Sequence, residues 1–553
     1  MNPEGLPSKR TSMYCAIVGV WAIASTLLWL DVTPSLRITV SASDQLAIGL
    51  MALGLDLGWL YGFYHLGLVV FTRLRPQAAV RHSRIPSHKA ASHPIAVFHT
   101  VCDDFQPDAA LSCVSQEYPE FHVYLLDDSS TEDSKRRVDD FGRKFEKLVT
   151  IIRRTNRIGF KAGNLNNALS KIPGGYKYIA LADSDTFLPS GFLRATSRLL
   201  DSNAPTGFVQ AVHVANLSSG REFAHDLEEI VRIGWTYYQL IRNEYGFPMC
   251  YGHGALIRFE ALSVASGFPE IVSEDIALTL KLRKLGIRGI FTSDVICGED
   301  YPSDYHSFRK RLSRWVSADM ECFRKELLPF LFVKKVDLVE KLDAVIRGLK
   351  VPLASMFLPL AVTIDLVLFR HPGVEDRMSA RILFISLVTC LAPYFCFVFD
   401  MVSRPKRLFF TVSHLTAVYC SCALLYIVRV VEALLLRRSY FYVTGAKYTR
   451  TSGKRRLTMN EAGYPLLGIA EIALSLPLIA IGIYTANLVL IGLSASLVLA
   501  PMVYAFGWKS RWTSSLIHVP LIFMLMGILL SCFYGIGSKA QWLVLAGLSI
   551  LLF

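Results

Sequence analysis

The chain has 553 residues, 52% of them hydrophobic and only 19% charged, with a formal net charge of +13 and a mean hydropathy of +0.38. That is too apolar for an ordinary soluble protein of this size, so membrane-spanning segments are expected. The basic excess reads as Lys and Arg crowding cytoplasmic loops rather than as a nucleic-acid surface, and no nucleic-acid partner is expected. The 11 cysteines are scattered, with no Cys-x-x-Cys pair and no zinc spacing, which fits reduced thiols.

A spanning helix needs roughly 20 mostly apolar residues. Such stretches lie at 13–31, 47–71, 350–370, 380–402, 465–485, 488–507, 514–535 and 539–553. The first comes after Lys9 and Arg10, has no small-residue cleavage site and is soon succeeded by the second, so it reads as an anchor. Residues 1–75 are thus expected to hold two spans, and Arg73 and Arg75 put the next segment on the cytoplasmic side. From 76 to 300 the chain is mixed, polar and basic. Strand-like runs at 95–99, 123–126, 149–152 and 178–182 alternate with helix-like segments, which predicts an α/β domain with a largely parallel sheet. Residues 301–348 read as interfacial amphipathic helices and 349–553 as a C-terminal membrane domain. The 408–436 stretch is long enough to span, but spanning would leave Arg437, Arg438, Lys447, Arg450, Lys454, Arg455 and Arg456 outside. An in-plane interfacial helix keeps them inside, with a cytosolic loop over 437–463 after it.

Acidic residues fall at the expected strand ends, where open α/β sheets gather ligands. Val-Tyr-Leu-Leu runs into Asp127-Asp128-Ser129, and Tyr-Ile-Ala-Leu-Ala into Asp183-Ser184-Asp185. An Asp-x-Asp there can hold a divalent cation that bridges a diphosphate, or it can be only a polar turn. Phe160-Lys161-Ala162-Gly163-Asn164 is either part of that site or a helix start with a solvated lysine. Glu274-Asp275 opens a helix, which suits the helix dipole even without a catalytic role. Over 303–325, Tyr305, Phe308, Leu312, Trp315 and Phe323 recur at helical spacing, and Arg311, Arg314 and Trp315 fall within about 100° of one face. Guanidinium groups suit phosphates and an indole suits a sugar ring, although a membrane-surface helix with snorkelling arginines would look the same. His99, His213 and His253 show no ligand spacing and read as structural or near-site groups, not as a zinc site. Asp56, Asp365 and Glu471, inside expected spans, either line an aqueous path or bond helix to helix.

In this order the pieces resemble the processive family 2 membrane glycosyltransferases, the cellulose synthase, hyaluronan synthase and chitin synthase relatives, over about residues 90–460. The resemblance rests on Leu-Leu-Asp127-Asp128-Ser-Ser, Lys161-Ala-Gly-Asn-Leu-Asn-Asn-Ala-Leu, Asp183-Ser-Asp185, Ser-Glu274-Asp275 and Arg311-Leu-Ser-Arg314-Trp315. Phe441-Tyr-Val443-Thr444-Gly-Ala-Lys447 resembles the family's gating loop, with one extra residue.

The resemblance implies an α/β GT-A glycosyltransferase domain inserted in a multi-span α-helical membrane domain. It implies an inverting enzyme that elongates a β-linked polysaccharide from a UDP-sugar, with Mg2+ or Mn2+ as cofactor and export of the product. Thr100, Asp103, Asp127, Asp128, Lys161 and Asp183 would then bind the donor nucleotide, with Thr444 and Lys447 closing over it. Asp185 would hold the metal and Asp275 would be the general base. Glu274, Arg311, Arg314 and Trp315 would serve the acceptor and pyrophosphate. The implied partners are a glycan or lipid acceptor, the lipid bilayer and an export partner protein. The implied place is a bacterial inner (plasma) membrane, with the catalytic domain cytoplasmic. Two departures stand out: Arg311 occupies the glutamine position of the family's Gln-x-x-Arg-Trp, and Val101-Cys102-Asp103 replaces Tyr-Asn-Glu. Two rival readings stay open, single-sugar transfer to a lipid and a membrane transporter with an inactive domain.

Overall fold

The computed structural model describes residues 11–38, 41–74, 84–85, 92–203, 206–216, 222–302, 304–377, 379–435, 459–505 and 515–534. Its strands are β1 Ile95–Val101, β2 Phe121–Asp127, β3 Val149–Arg153, β4 Tyr178–Asp183, β5 Thr206–Ala215, β6 Ala255–Arg258 and β7 Arg288–Glu299. They form one seven-stranded sheet in the order β3-β2-β1-β4-β6-β5-β7. The first four and the β5–β7 pair are parallel, while β6 runs antiparallel between β4 and β5.

Strand β1 is apolar at almost every position because both faces are covered. Ile95 and Val97 face a core with Val138 and Phe141 of the Glu132–Lys144 helix. Ala96 and Phe98 face another, with Leu165 of the Phe160–Lys171 helix and Leu278 of the Glu274–Lys284 helix. Because β2 and β4 flank β1 on opposite sides, Val101 pairs with Asp127 and Thr100 with Asp183. The strand order therefore reverses where the acidic ends meet, the crevice in which such sheets bind ligands.

Among the described residues, five helices are long and apolar enough to cross a membrane: Ser12–Arg37, Ala42–Leu74, Lys350–Arg370, Ala380–Met401 and Leu467–Tyr484. Leu488–Ala505 and Val519–Tyr534 are shorter apolar helices. The stretch expected as one in-plane helix over 408–436 is two helices, Pro405–Cys420 and Ala423–Leu435, bent by 41°. A neighbouring helix supports the break: Tyr305 Oη and Ser421 Oγ lie 2.6 Å apart, and Arg309 Nη1 donates to Ser421 O at 3.4 Å. Thr444, Lys447 and the 539–553 stretch lie outside the described residues.

One core runs from the long apolar helices into the sheet domain, with Trp59, Tyr245, Phe291 and Phe357 among its members. Buried Arg242 pins the two parts together. It donates to Asp343 Oδ2 at 3.0 Å and to Tyr64 Oη at 2.5 Å, and Tyr64 in turn donates to Asp343 Oδ1 at 2.6 Å. The charges expected inside spans also make helix contacts: Asp56 accepts from Ser25 at 3.1 Å, Asp365 from Thr485 at 2.6 Å, and Glu471 from Arg309 at 2.7 Å.

Candidate active site

The chain enters the Phe160–Lys171 helix through Gly159 (φ 77°) and Phe160 (φ 54°), a left-handed reversal that sends Lys161 towards the sheet. Lys161 Nζ lies 2.5 Å from Asp183 Oδ1 and 3.4 Å from Glu274 Oε1, and donates to Gly252 O at 2.9 Å. Thr100 Oγ1 donates to the same Asp183 oxygen at 2.9 Å. Burial works against the charge on Lys161, but Asp183 and Glu274 outweigh it and raise its pKa. For Asp183, burial is outweighed by Lys161 and the carboxyl is held low. On the helix opposite, burial pushes Glu274 up to about 7 and raises Asp275, with Lys161 opposing both shifts.

Asp127 and Asp128 are engaged by arginines. Arg153 Nε donates to Asp127 Oδ2 at 2.6 Å, and Arg154 grips Asp128 through both oxygens at 2.9 and 2.7 Å. Asp103, at φ 61°, accepts from the backbone of Ser130 at 2.7 Å and Thr131 at 3.0 Å. These hydrogen bonds outweigh its burial and lower its pKa. The three carboxylates thus shape the loops at the carboxyl ends of β1 and β2.

The Asp183-Ser184-Asp185 turn is strapped to the end of β7 by paired backbone bonds between Phe187 and Gly298, at 2.8 and 2.9 Å. Burial, then Glu299, Asp183 and Asp104, hold Asp185 well above the usual carboxylate range. Ser184 Oγ donates to Asp104 Oδ2 at 2.7 Å, which brings in an acid that sequence reasoning missed. Glu299 accepts from Arg311 Nη2 at 2.5 Å through Oε1, while Oε2 lies 3.6 Å from His213 Nδ1 and 3.7 Å from His253 Nε2. Burial raises Glu299, but Arg311, His253 and His213 together outweigh it and hold the carboxyl well down. Burial, then His213, lowers His253 to about 3, so its ring is neutral.

The two imidazoles stack with centroids 3.9 Å apart and 22° between planes. His253 sits between Gly252 (φ 77°) and Gly254 (φ 55°); a Cβ on Gly254 would lie 2.5 Å from His213 Nε2. The Gly-His-Gly run and the acid ending β7 were the available sequence signals for this group.

Arg311 also stacks over Trp315, 4.6 Å from the ring, and over Tyr301 at 5.7 Å. Trp315 keeps 41% of its surface exposed. Burial, then Arg311, lowers the pKa of Arg314, against Asp183 and Glu274.

Ligand atoms of His213, His253 and Glu299 all lie within 4.8 Å of one another. With Asp185 beside Glu299, this donor set fits a divalent cation.

Residues 107–264 match the profile of a family described as glycosyl transferase family 2. A protein of Oryza sativa subsp. japonica named probable glucomannan 4-beta-mannosyltransferase 9 is 26% identical over 232 residues, 40% of this chain and 43% of the relative. The match therefore spans less than half of that relative's length. Among solved structures, the mannosyltransferase PcManGT from Pyrobaculum calidifontis, in complex with GDP-Man and Mn2+, is similar at TM-score 0.45 and 17% identity, covering 70% of this chain and 100% of that one. S. aureus TarS 1–349 in complex with UDP-GlcNAc is similar at TM-score 0.32 and 15% identity, covering 65% of this chain and 98% of that one.

Proposed function

We propose that this chain, which carries a family 2 glycosyltransferase domain on a GT-A-like sheet, is an inverting membrane enzyme that moves a hexose from a nucleotide-sugar onto a growing β-linked glycan. The observation that carries the reading is the position of Lys161, which touches Asp183 of the Asp-x-Asp turn and Glu274 beside Asp275 at once. One cation thereby links a diphosphate-binding acid to the carboxyl beside the candidate base. The proposal includes a UDP-sugar donor, coupled export, and a bacterial plasma membrane with the catalytic domain cytoplasmic.

Asp275 takes the proton from the acceptor hydroxyl as that oxygen attacks the anomeric carbon. The bond from that carbon to the diphosphate breaks, and the nucleoside diphosphate leaves with the electron pair. A buried carboxyl with a raised pKa is a better proton acceptor near neutral pH than an exposed one. Lys161 and Arg314 offset negative charge on the leaving diphosphate. Trp315 offers its exposed face to the acceptor ring. Asp103, Asp127 and Asp128 receive the nucleoside on loops already fixed by their own bonds, and Thr444 and Lys447 close over it to exclude water. A divalent cation held by Asp185 and Glu299 would neutralise further charge on the diphosphate.

A second reading is favoured by one feature. A cavity lined mostly by apolar residues, among them Phe247, Met249, Leu280 and Val351, lies against Ile276, next to Asp275, and includes Arg347. Such walls at the head of the Lys350–Arg370 helix suit a lipid-linked acceptor and a single sugar addition.

The test is nucleotide release and product size for the full chain in lipid. The donor panel holds UDP-sugars and, because the rice relative is named a mannosyltransferase, a mannosyl donor. Metal-dependent release with one donor, lost in Asp275→Asn while nucleotide still binds, supports the reading. Nucleotide affinity collapsing together with activity would remove Asp275 from the role of base. A polymer product favours the first acceptor class and a single addition the second.

A further inference from the structure

We infer that His213, His253 and Glu299 form a preassembled, imidazole-rich site for a first-row transition cation, taken up without nucleotide and in preference to Mg2+. The inference rests on the glycosyltransferase reading and deepens it, by giving the cation its ligands and its chemical class.

The three ligand atoms lie within 4.8 Å of one another, and each residue has a partner behind it. His213 Nε2 lies 2.9 Å from the His253 carbonyl and 3.1 Å from Gln210 Nε2, and its Nδ1 is turned towards Glu299 at 3.6 Å. His253 Nδ1 meets Thr186 Oγ1 at 3.2 Å, which turns Nε2 towards the same carboxylate. Glu299 Oε1 is held by Arg311 at 2.5 Å, so Oε2 alone is offered. A backbone carbonyl, a hydroxyl and a guanidinium thus stand behind the three donors, the outer-partner pattern of ligating residues.

The spacing fits a cation better than an ion pair. A metal about 2.1 Å from each ligand needs them roughly 3–4 Å apart, and the nitrogens lie 3.6 and 3.7 Å from Oε2. A protonated imidazole paired with a carboxylate would close to about 2.7–2.9 Å. The rings stack on each other, and Trp235 packs edge-on against His213 at 4.9 Å, which favours their staying together. The backbone is adapted as well: Gly254, at φ 55°, leaves open the space that His213 Nε2 occupies.

Two imidazoles and one carboxylate oxygen set the metal class. Mg2+ prefers oxygen ligands and retains its waters, whereas imidazole suits the later first-row ions. The expected order is Zn2+ and Co2+ ahead of Mn2+, and all of them ahead of Mg2+.

The experiment strips the full chain with a chelator and titrates it with Co2+ in the absence of nucleotide, following visible absorption. One equivalent should bind, and about a hundredfold excess of Mg2+ should fail to displace it. His213→Ala and His253→Ala should each weaken uptake at least about 10-fold. No uptake without nucleotide, ready displacement by Mg2+, or unchanged uptake in both variants would overturn the inference. Since either variant can disturb folding, pulsed EPR of Mn2+ on the unaltered protein supplies an independent readout. Nitrogen couplings from imidazole are expected, and their absence counts against the site. Donor turnover in the same preparations separates the two ideas. Nitrogen-ligated metal with no turnover of any donor would sink the glycosyltransferase reading alone. Full Mg2+-supported turnover in both histidine variants would sink the imidazole site alone.

Discussion

Lys161 lies against Glu274, and its charge opposes the burial that raises both Glu274 and Asp275. The consequence for pH has a definite sign. A base works only when deprotonated, and an ordinary carboxylate loses its proton near pH 4. With Glu274 pushed up to about 7 and Asp275 also raised, transfer should fall on acidification well above that value. Lys161→Met removes the opposing charge, so the acid limb of the rate profile should move to higher pH, whatever happens to the maximal rate. A limb that stays in place would detach Lys161 from the base. Asp127, Asp183 and Asp275 are legible in the sequence because each closes an apolar run or opens a helix. His213 and Glu299 are not, because they meet through the β5–β7 register, in which His213 pairs with Cys297 and Ala215 with Glu299. No local spacing records that pairing. Nor does it record that Arg153 and Arg154, on the neighbouring strand and just beyond it, engage Asp127 and Asp128.

At the scale of elements, the sheet and most helices arise from apolar periodicity and caps. Thr131 accepts from Ser134 N at 3.3 Å at the head of one helix, and Asp304 from Ser307 N at 2.8 Å at the head of another. The break between Pro405–Cys420 and Ala423–Leu435 is different. Composition is evenly apolar through it, and the groups that stabilise it, Tyr305 and Arg309, come from another helix. The Arg242–Asp343–Tyr64 network is likewise invisible locally, since its members are 101 and 178 residues from Arg242. All three are buried, so removing one charge leaves the other unpaired. Arg242→Met should destabilise the protein by about 3–5 kcal/mol. Arg242→Met combined with Asp343→Leu should recover most of that loss, because a buried pair replaced by apolar groups is often near neutral. Thermal unfolding in detergent checks both. A double variant no better than the single one would mean that the network does more than satisfy its own charges.

For the whole molecule, the central question is which side of the bilayer the crevice faces. Two helices able to span, Ser12–Arg37 and Ala42–Leu74, precede the sheet, and Lys350–Arg370 comes after it. The N-terminus and the sheet would then share one side, and the turn after Lys350–Arg370 would lie on the other. On the proposed reading, the Lys and Arg surplus around the sheet would put that first side in the cytoplasm, on the side of the nucleotide-sugar donor. A cysteine at Lys147, exposed just before β3, should react with an impermeant maleimide in inside-out vesicles and not in intact cells. A cysteine at Gly373, exposed with nothing within 4 Å of its Cβ position, should do the reverse. Labelling is read above that of the unaltered protein, because Cys15 is itself exposed. If position 147 reacted from outside intact cells, the crevice would face away from its donor and the transfer mechanism would fail on supply alone. If both positions reacted from the same side, Lys350–Arg370 would not span, and the proposed export of the product would lose one of the helices it needs.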